Sequence, residues 1–176
     1  MNRRLVYALV STGIILLDQL TKFLVVGKIG LHREIPIIEG FFSLSHVKNP
    51  GAAFGFLASF DSPLRPFLLN AVAIAVFFAV LVYAIRSPIA ATALQTGLSL
   101  ILGGAIGNLI DRLRFGSVTD FLHFYIGSHV WPDFNVADSA ITIGVLFLAW
   151  DIWKRPHGEE PASSSRPETS VVDDAP

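Results

Sequence analysis

Two aspartates stand where this sequence offers the most chemistry. Asp138 lies four residues into "FNVADSAITIGVLFLAW" (Phe134–Trp150), a run otherwise apolar enough to cross a bilayer, and Asp120 lies in "SVTDFLHF", again between apolar residues. A carboxylate at an apolar boundary resists ionisation, and two from different segments that approach closely can share one proton. One then acts as base toward water and the other as acid toward a carbonyl oxygen, with no serine, cysteine or metal nucleophile required. The structural alternative for Asp138 is plain. Pro132 and Asn135 read as a helix start, with Asn135 as N-cap and Asp138 at the third helical position, where an acid complements the helix dipole.

Other polar residues also sit in apolar surroundings. Asp18 and Lys22 are four apart, share a helix face and can neutralise one another. Asn108, Asp111 and Arg112 share a face through i, i+3 and i+4 spacing, and a structural network with a neighbouring helix is the expectation for Asp111 and Arg112. Upstream, "GGAIG" places glycines at 103 and 107, which allow close helix approach. The chain has no cysteine, excluding disulfides, thiolate metal sites and a cysteine nucleophile. Its five histidines, among them His123 and His129 in an expected loop, form no HExxH or comparable pattern, so neither metal nor cofactor is expected.

The elements that must position these groups follow from composition. Of 176 residues 52% are hydrophobic and 15% charged, and the mean hydropathy is +0.58. This composition is that of an integral membrane protein. Apolar runs over Leu5–Val26, Leu64–Ile85, Ile89–Ile110 and Val136–Trp153 are each long enough to span about 30 Å of hydrocarbon as a helix. The expected fold is an all-α membrane protein of four transmembrane helices with a small extracytoplasmic β element between helices one and two. Residues 1–157 form the single membrane domain, with the β element at about 27–63. There "REIPIIEGFFSLSHV" carries β-branched and aromatic residues around a Gly40 turn signal, and "FGFLASF" suits the bilayer surface. The basic then apolar start reads as an uncleaved first helix, since no small-residue cleavage site follows. Residues 158–176, polar and rich in Pro and Ser, are expected to be a disordered cytoplasmic tail.

The net charge of −1 and the lack of a basic stripe give no sign of nucleic-acid binding. The "NRR" start and "WKRP" end favour cytoplasmic termini, although basic residues also occur on the opposite side. In either orientation, four antiparallel crossings bring "DQLTK", "HVKNPGAAFG", "GNLIDR", "GSVTDF" and "FNVADS" to one membrane edge. A small proton-coupled transporter also uses membrane carboxylates, but near the midplane and within internal repeats, and no repeat is visible here. A scaffold subunit would explain the bundle but not this convergence.

With those blocks in hand, the chain resembles lipoprotein signal peptidase (signal peptidase II), the bacterial membrane aspartyl endopeptidase family. The resemblance runs from about Asp18 to Trp153 through "DQLTK", "NPGAAFG", "GGAIGNLIDR", "GSVTDF" and "FNVADS" in the family's order. It implies that Asp120 and Asp138 are the catalytic pair and that Arg112 contacts substrate. It further implies that Asn49, Asn108 and Asn135 line the site, and that Gly51, Ala53 and Gly104 allow close backbone approach, with Ala137 packing beside Asp138. Asp18 and Lys22 match the family's polar pair on the first helix. The implied reaction is hydrolysis on the amino side of the lipidated cysteine of diacylglyceryl-modified prolipoproteins. It would take place at the outer face of the bacterial cytoplasmic membrane, among membrane lipids, with both termini cytoplasmic and the enzyme monomeric.

Overall fold

The computed structural model describes residues 2–51 and 64–154. Four long helices, α1 (Arg3–Lys28), α2 (Arg65–Arg86), α3 (Thr92–Phe115) and α4 (Val136–Lys154), are each long and apolar enough to cross a membrane. Local chemistry sets their ends. Asn2 caps α1 by accepting from the Arg4 N–H at 3.0 Å. A proline opens the first turn of α2, where its missing N–H costs nothing. Gly116 ends α3 in the left-handed conformation, φ +70°, with its N–H on the Arg112 carbonyl. That end lies five residues beyond the expected one, so Asp111 and Arg112 sit inside the last turns of α3 and not at its close.

α3 is the central helix and packs against the other three. Over half of its span is buried inside the protein, whereas none of the apolar window of α2 is. Leucines, valines and phenylalanines on the outer faces of α1, α2 and α4 are exposed, as suits lipid, and polar side chains share the interior with apolar ones such as Leu94, Leu98 and Ala140. Small residues let the backbones meet. A Cβ at Gly104 would strike the Ala137 carbonyl on α4, and one at Gly107 would come within 2.6 Å of Asp18 Oδ2 on α1.

At one end of the bundle lies an antiparallel sheet of four strands in sequential order: β1 (Glu34–Ile38), β2 (Phe42–Asn49), β3 (Val118–Ile126) and β4 (His129–Val130). The β element expected between the first two helices is present as β1 and β2. The sheet is twice that size, because the stretch between α3 and α4, expected to be loop, contributes β3 and β4. β2 pairs with β3 from Phe42↔Phe124 to Asn49↔Val118, with an irregularity just before Val47↔Asp120. A small core of Val25, Ile29 and Phe121, with Leu44, Leu122 and Val136 against it, fastens the sheet to the end of α1 and the start of α4. Ala53, the "FGFLASF" segment and the C-terminal stretch lie outside the described residues.

Candidate active site

Asp120 lies on β3 and Asp138 in the first turn of α4, and Asn135 bridges the two elements. Fully buried, it donates from Nδ2 to Asp120 Oδ1 at 2.6 Å and accepts on Oδ1 from the Asp138 N–H at 2.9 Å. The second contact is the expected N-cap. The other Asp120 oxygen accepts from Asn49 Nδ2 at 2.9 Å. Asn49 is held in that orientation because the Gly51 N–H donates to its Oδ1 at 2.9 Å. Gly51 does so at φ +101°, a conformation that favours glycine, and a Cβ there would also strike Leu69 on α2. Asp138 Oδ1 accepts from Asn108 Nδ2 at 2.7 Å.

Behind the aspartates stands a second polar layer. Lys22 Nζ donates to Asn108 Oδ1 at 3.0 Å and lies 2.9 Å from Asp18 Oδ2 and 3.4 Å from Asp111 Oδ2. An ammonium only donates, so it holds the Asn108 oxygen toward itself and thereby turns the NH₂ toward Asp138. Asp18 Oδ1 accepts the Ala137 N–H at 3.0 Å. Asp111 accepts from Gln19 Nε2 at 3.1 Å and from the Thr119 N–H at 2.9 Å, joining α1, α3 and β3. It is the structural network expected of it, though the partners found are Gln19, Lys22 and Thr119. Asp18 and Lys22 are 0% and 4% exposed, which places them as supports beneath the site and not on an accessible wall. Ala137, 0% exposed, packs against Gly104 and Gly107.

Burial pushes the Asp120 carboxyl up to about 6 against the amide donors of Asn49 and Asn135, with the nearby Asp138 adding to the rise. Arg112, half-buried on α3, interacts electrostatically with Asp138, Asp120 and Asp111. Around the site four carboxylates, Asp18, Asp111, Asp120 and Asp138, face two cations, Lys22 and Arg112. Among the described residues no group of three His, Cys, Asp or Glu is placed to hold a metal ion.

The fold thus gathers Asp18, Lys22, Asn49, Gly51, Gly104, Asn108, Arg112, Asp120, Asn135, Ala137 and Asp138 at one end of the bundle. Gln19 and Thr119 went unforeseen. Gln19 adjoins Asp18 in "DQLTK", but neighbours in sequence do not share a helix face, so spacing gave no signal for it. Phe121 and Val136 pack with Val25 and Ile29 in the small core under the sheet, and Phe124 stacks between Phe42 and Phe134 further along it. There an aromatic groove of about 630 Å³ is lined by Phe41, Phe124, Tyr125 and Trp131 among others.

Comparison with known proteins gives the same direction throughout. A family model described as signal peptidase (SPase) II matches residues 10–154. The lipoprotein signal peptidase of Syntrophus aciditrophicus is 45% identical over 153 residues, covering 86% of this chain and 95% of that protein. That of Desulforapulum autotrophicum is 49% identical over 144 residues, covering 82% and 89%. A bacterial membrane enzyme solved by the in meso method at 1.9 Å resolution superposes with a TM-score of 0.77 at 27% identity, over 86% of this chain and 94% of that one. None of these matches supports a transporter. The matched span holds every residue of the site just described, and the chain belongs to the signal peptidase II family.

Proposed function

We propose that this membrane protein removes signal peptides from diacylglyceryl-modified prolipoproteins by cutting on the amino side of the lipidated cysteine, with Asp120 and Asp138 as the catalytic pair. The observation that carries the assignment is the bridge of Asn135 between two buried acids on different elements. Asp120 accepts a hydrogen bond on each oxygen, which favours its carboxylate, so it serves as base toward the attacking water. Asp138 carries the proton and presents it to the scissile carbonyl. The tetrahedral intermediate then collapses as the leaving amine takes up a proton from the pair. Arg112, beside both acids, contacts the substrate backbone, and Asn49 and Asn108 hold the acids in register.

Lipid enters the reading through the surface. Phe41, Ile126, Val130 and Trp131 are exposed on the sheet beyond the spans, where aromatic and apolar side chains suit the water–lipid boundary. The chain acts as a monomer with the sheet and site outside the cytoplasmic membrane and both termini in the cytoplasm. The test is turnover of a lipidated prolipoprotein by the purified protein in detergent. Asp120→Asn and Asp138→Asn should each lose roughly 10³-fold or more, and the double variant little beyond that. Near-normal turnover in either single variant would refute the pair.

A further inference from the structure

Asp120 and Asp138 belong to different elements, so their separation depends on the strap that joins the sheet to α4. Trp131 and Phe134 pin this strap to β3 through the backbone: the Trp131 N–H donates to Phe124, the Phe134 N–H donates to Leu122, and the Phe134 carbonyl accepts from both Phe121 and Leu122. Between these pins Asp133 turns back into the sheet. Its Oδ2 accepts from Ser45 Oγ on β2 at 2.8 Å, and its Oδ1 meets His123 Nδ1 on β3 in a short contact. Ser45 is 5% exposed, Asp133 16% and His123 20%, so the cluster is largely shielded from solvent. Two residues on stands Asn135, which touches both acids.

Resting on the peptidase reading above, we infer that Ser45, His123 and Asp133 form a positioning clamp that fixes Asn135, and through it the spacing and alignment of Asp120 and Asp138. Backbone bonds along the strap set its register on β3 but leave its lateral tilt to side chains. Asp133 supplies two anchors on two strands, which a single hydrogen bond could not. Other titratable groups around the clamp are Glu34 on β1, whose Oε2 lies 4.0 Å from His123 Nε2, and Tyr125, whose ring stands 5.3 Å from that of His123. Asp120 is faced by Asp138 from α4, Lys22 from α1 and Arg112 from α3, while Asp111 of α3 and Lys48 of β2 hold the N–H and the hydroxyl of the adjoining Thr119.

The test is steady-state cleavage of a lipidated prolipoprotein by full-length wild type, Asp133→Ala, Asp133→Asn and His123→Phe, each checked for folding by thermal unfolding. Asp133→Ala should lower kcat roughly 10- to 100-fold with KM within about twofold, because the acids are misaligned while the substrate site is intact. Asn135 donation opposes the rise of the Asp120 carboxyl, so the acid limb of the pH profile should also move upward. Asp133→Asn should restore most of kcat, since an amide can accept from His123 and donate to Ser45. Should Asp133→Ala fail to fold, His123→Phe, which removes one of the two anchors, must reproduce the kcat loss. An unchanged kcat in a folded variant, a loss confined to KM, or no rescue by Asp133→Asn overturns the clamp while wild-type cleavage upholds the peptidase. Absence of cleavage by the wild type overturns both.

Discussion

Asp120 and Asp138 differ in what their oxygens can still do. Both Asp120 oxygens accept from asparagine amides, whereas Asp138 is held through Oδ1 and by its own N–H. On the proposed mechanism that asymmetry separates base from proton carrier, and pH exposes it. Asp120 must be ionised to act as base, and its carboxyl lies at about 6, so turnover should fall as pH drops below about 6. Stability should move the opposite way. A folded-state value raised from the ordinary 3.8 means the native protein binds this proton more tightly than the unfolded chain. The benefit is full below about pH 4 and is lost as pH rises through about 6, amounting to up to roughly 3 kcal/mol. Thermal unfolding in detergent across this range should show that decline, and Asp120→Asn should flatten it. A pH-independent melting temperature in the wild type would contradict the buried acid.

At the scale of elements, α3 carries the greatest consequence, since it touches every other helix and reaches β3 through Asp111. Asp111→Asn keeps the shape but turns an NH₂ either toward Gln19 Nε2 or toward the Thr119 N–H and Lys22, so a hydrogen bond that ties α3 to α1 or to β3 is lost, at a cost of about 1–3 kcal/mol. Melting temperature should drop while turnover per folded molecule falls far less than in the Asp120 or Asp138 variants. A selective loss of turnover would move the catalytic acid to α3. The helices were legible from sequence because a bilayer demands long apolar runs and offers no other solution. Asn135 as cap and Asp138 at the third position were legible because capping is local. Half of the sheet was not. "TDFLHFYIG" alternates weakly, and its pairing partner is β2, on the far side of α2 and α3 in sequence, where no local pattern can announce it. The inner support, with Gln19 crossing to Asp111 and Lys22 to Asn108, was hidden for the same reason.

At the scale of the whole molecule, the described helices expose apolar side chains on their outer faces and bury polar ones beside apolar ones within, and the catalytic candidates cluster at one end of the bundle. Without cysteine, any single introduced cysteine is a unique reporter. If the termini are cytoplasmic, a cysteine at Asn2 should resist a membrane-impermeant thiol reagent applied outside, and one at Glu39 should react; the reverse pattern would invert the topology. Beyond Arg155 the sequence has no apolar periodicity, so truncation after His157 should leave insertion and turnover intact, and loss of cleavage at normal expression would assign the tail a role. The sheet itself draws its strands from two excursions on the same side of the bundle, separated by α2 and α3. During synthesis β2 therefore leaves the ribosome long before the strand it pairs with, and Asn49 waits for Asp120 while two further spans are inserted. Asp138 arrives later still, on α4, the span after those two. On the proposed pairing of Asp120 with Asp138, an unfinished chain in the membrane is thus harmless to its neighbours: proteolytic competence comes only when the fourth helix has been made.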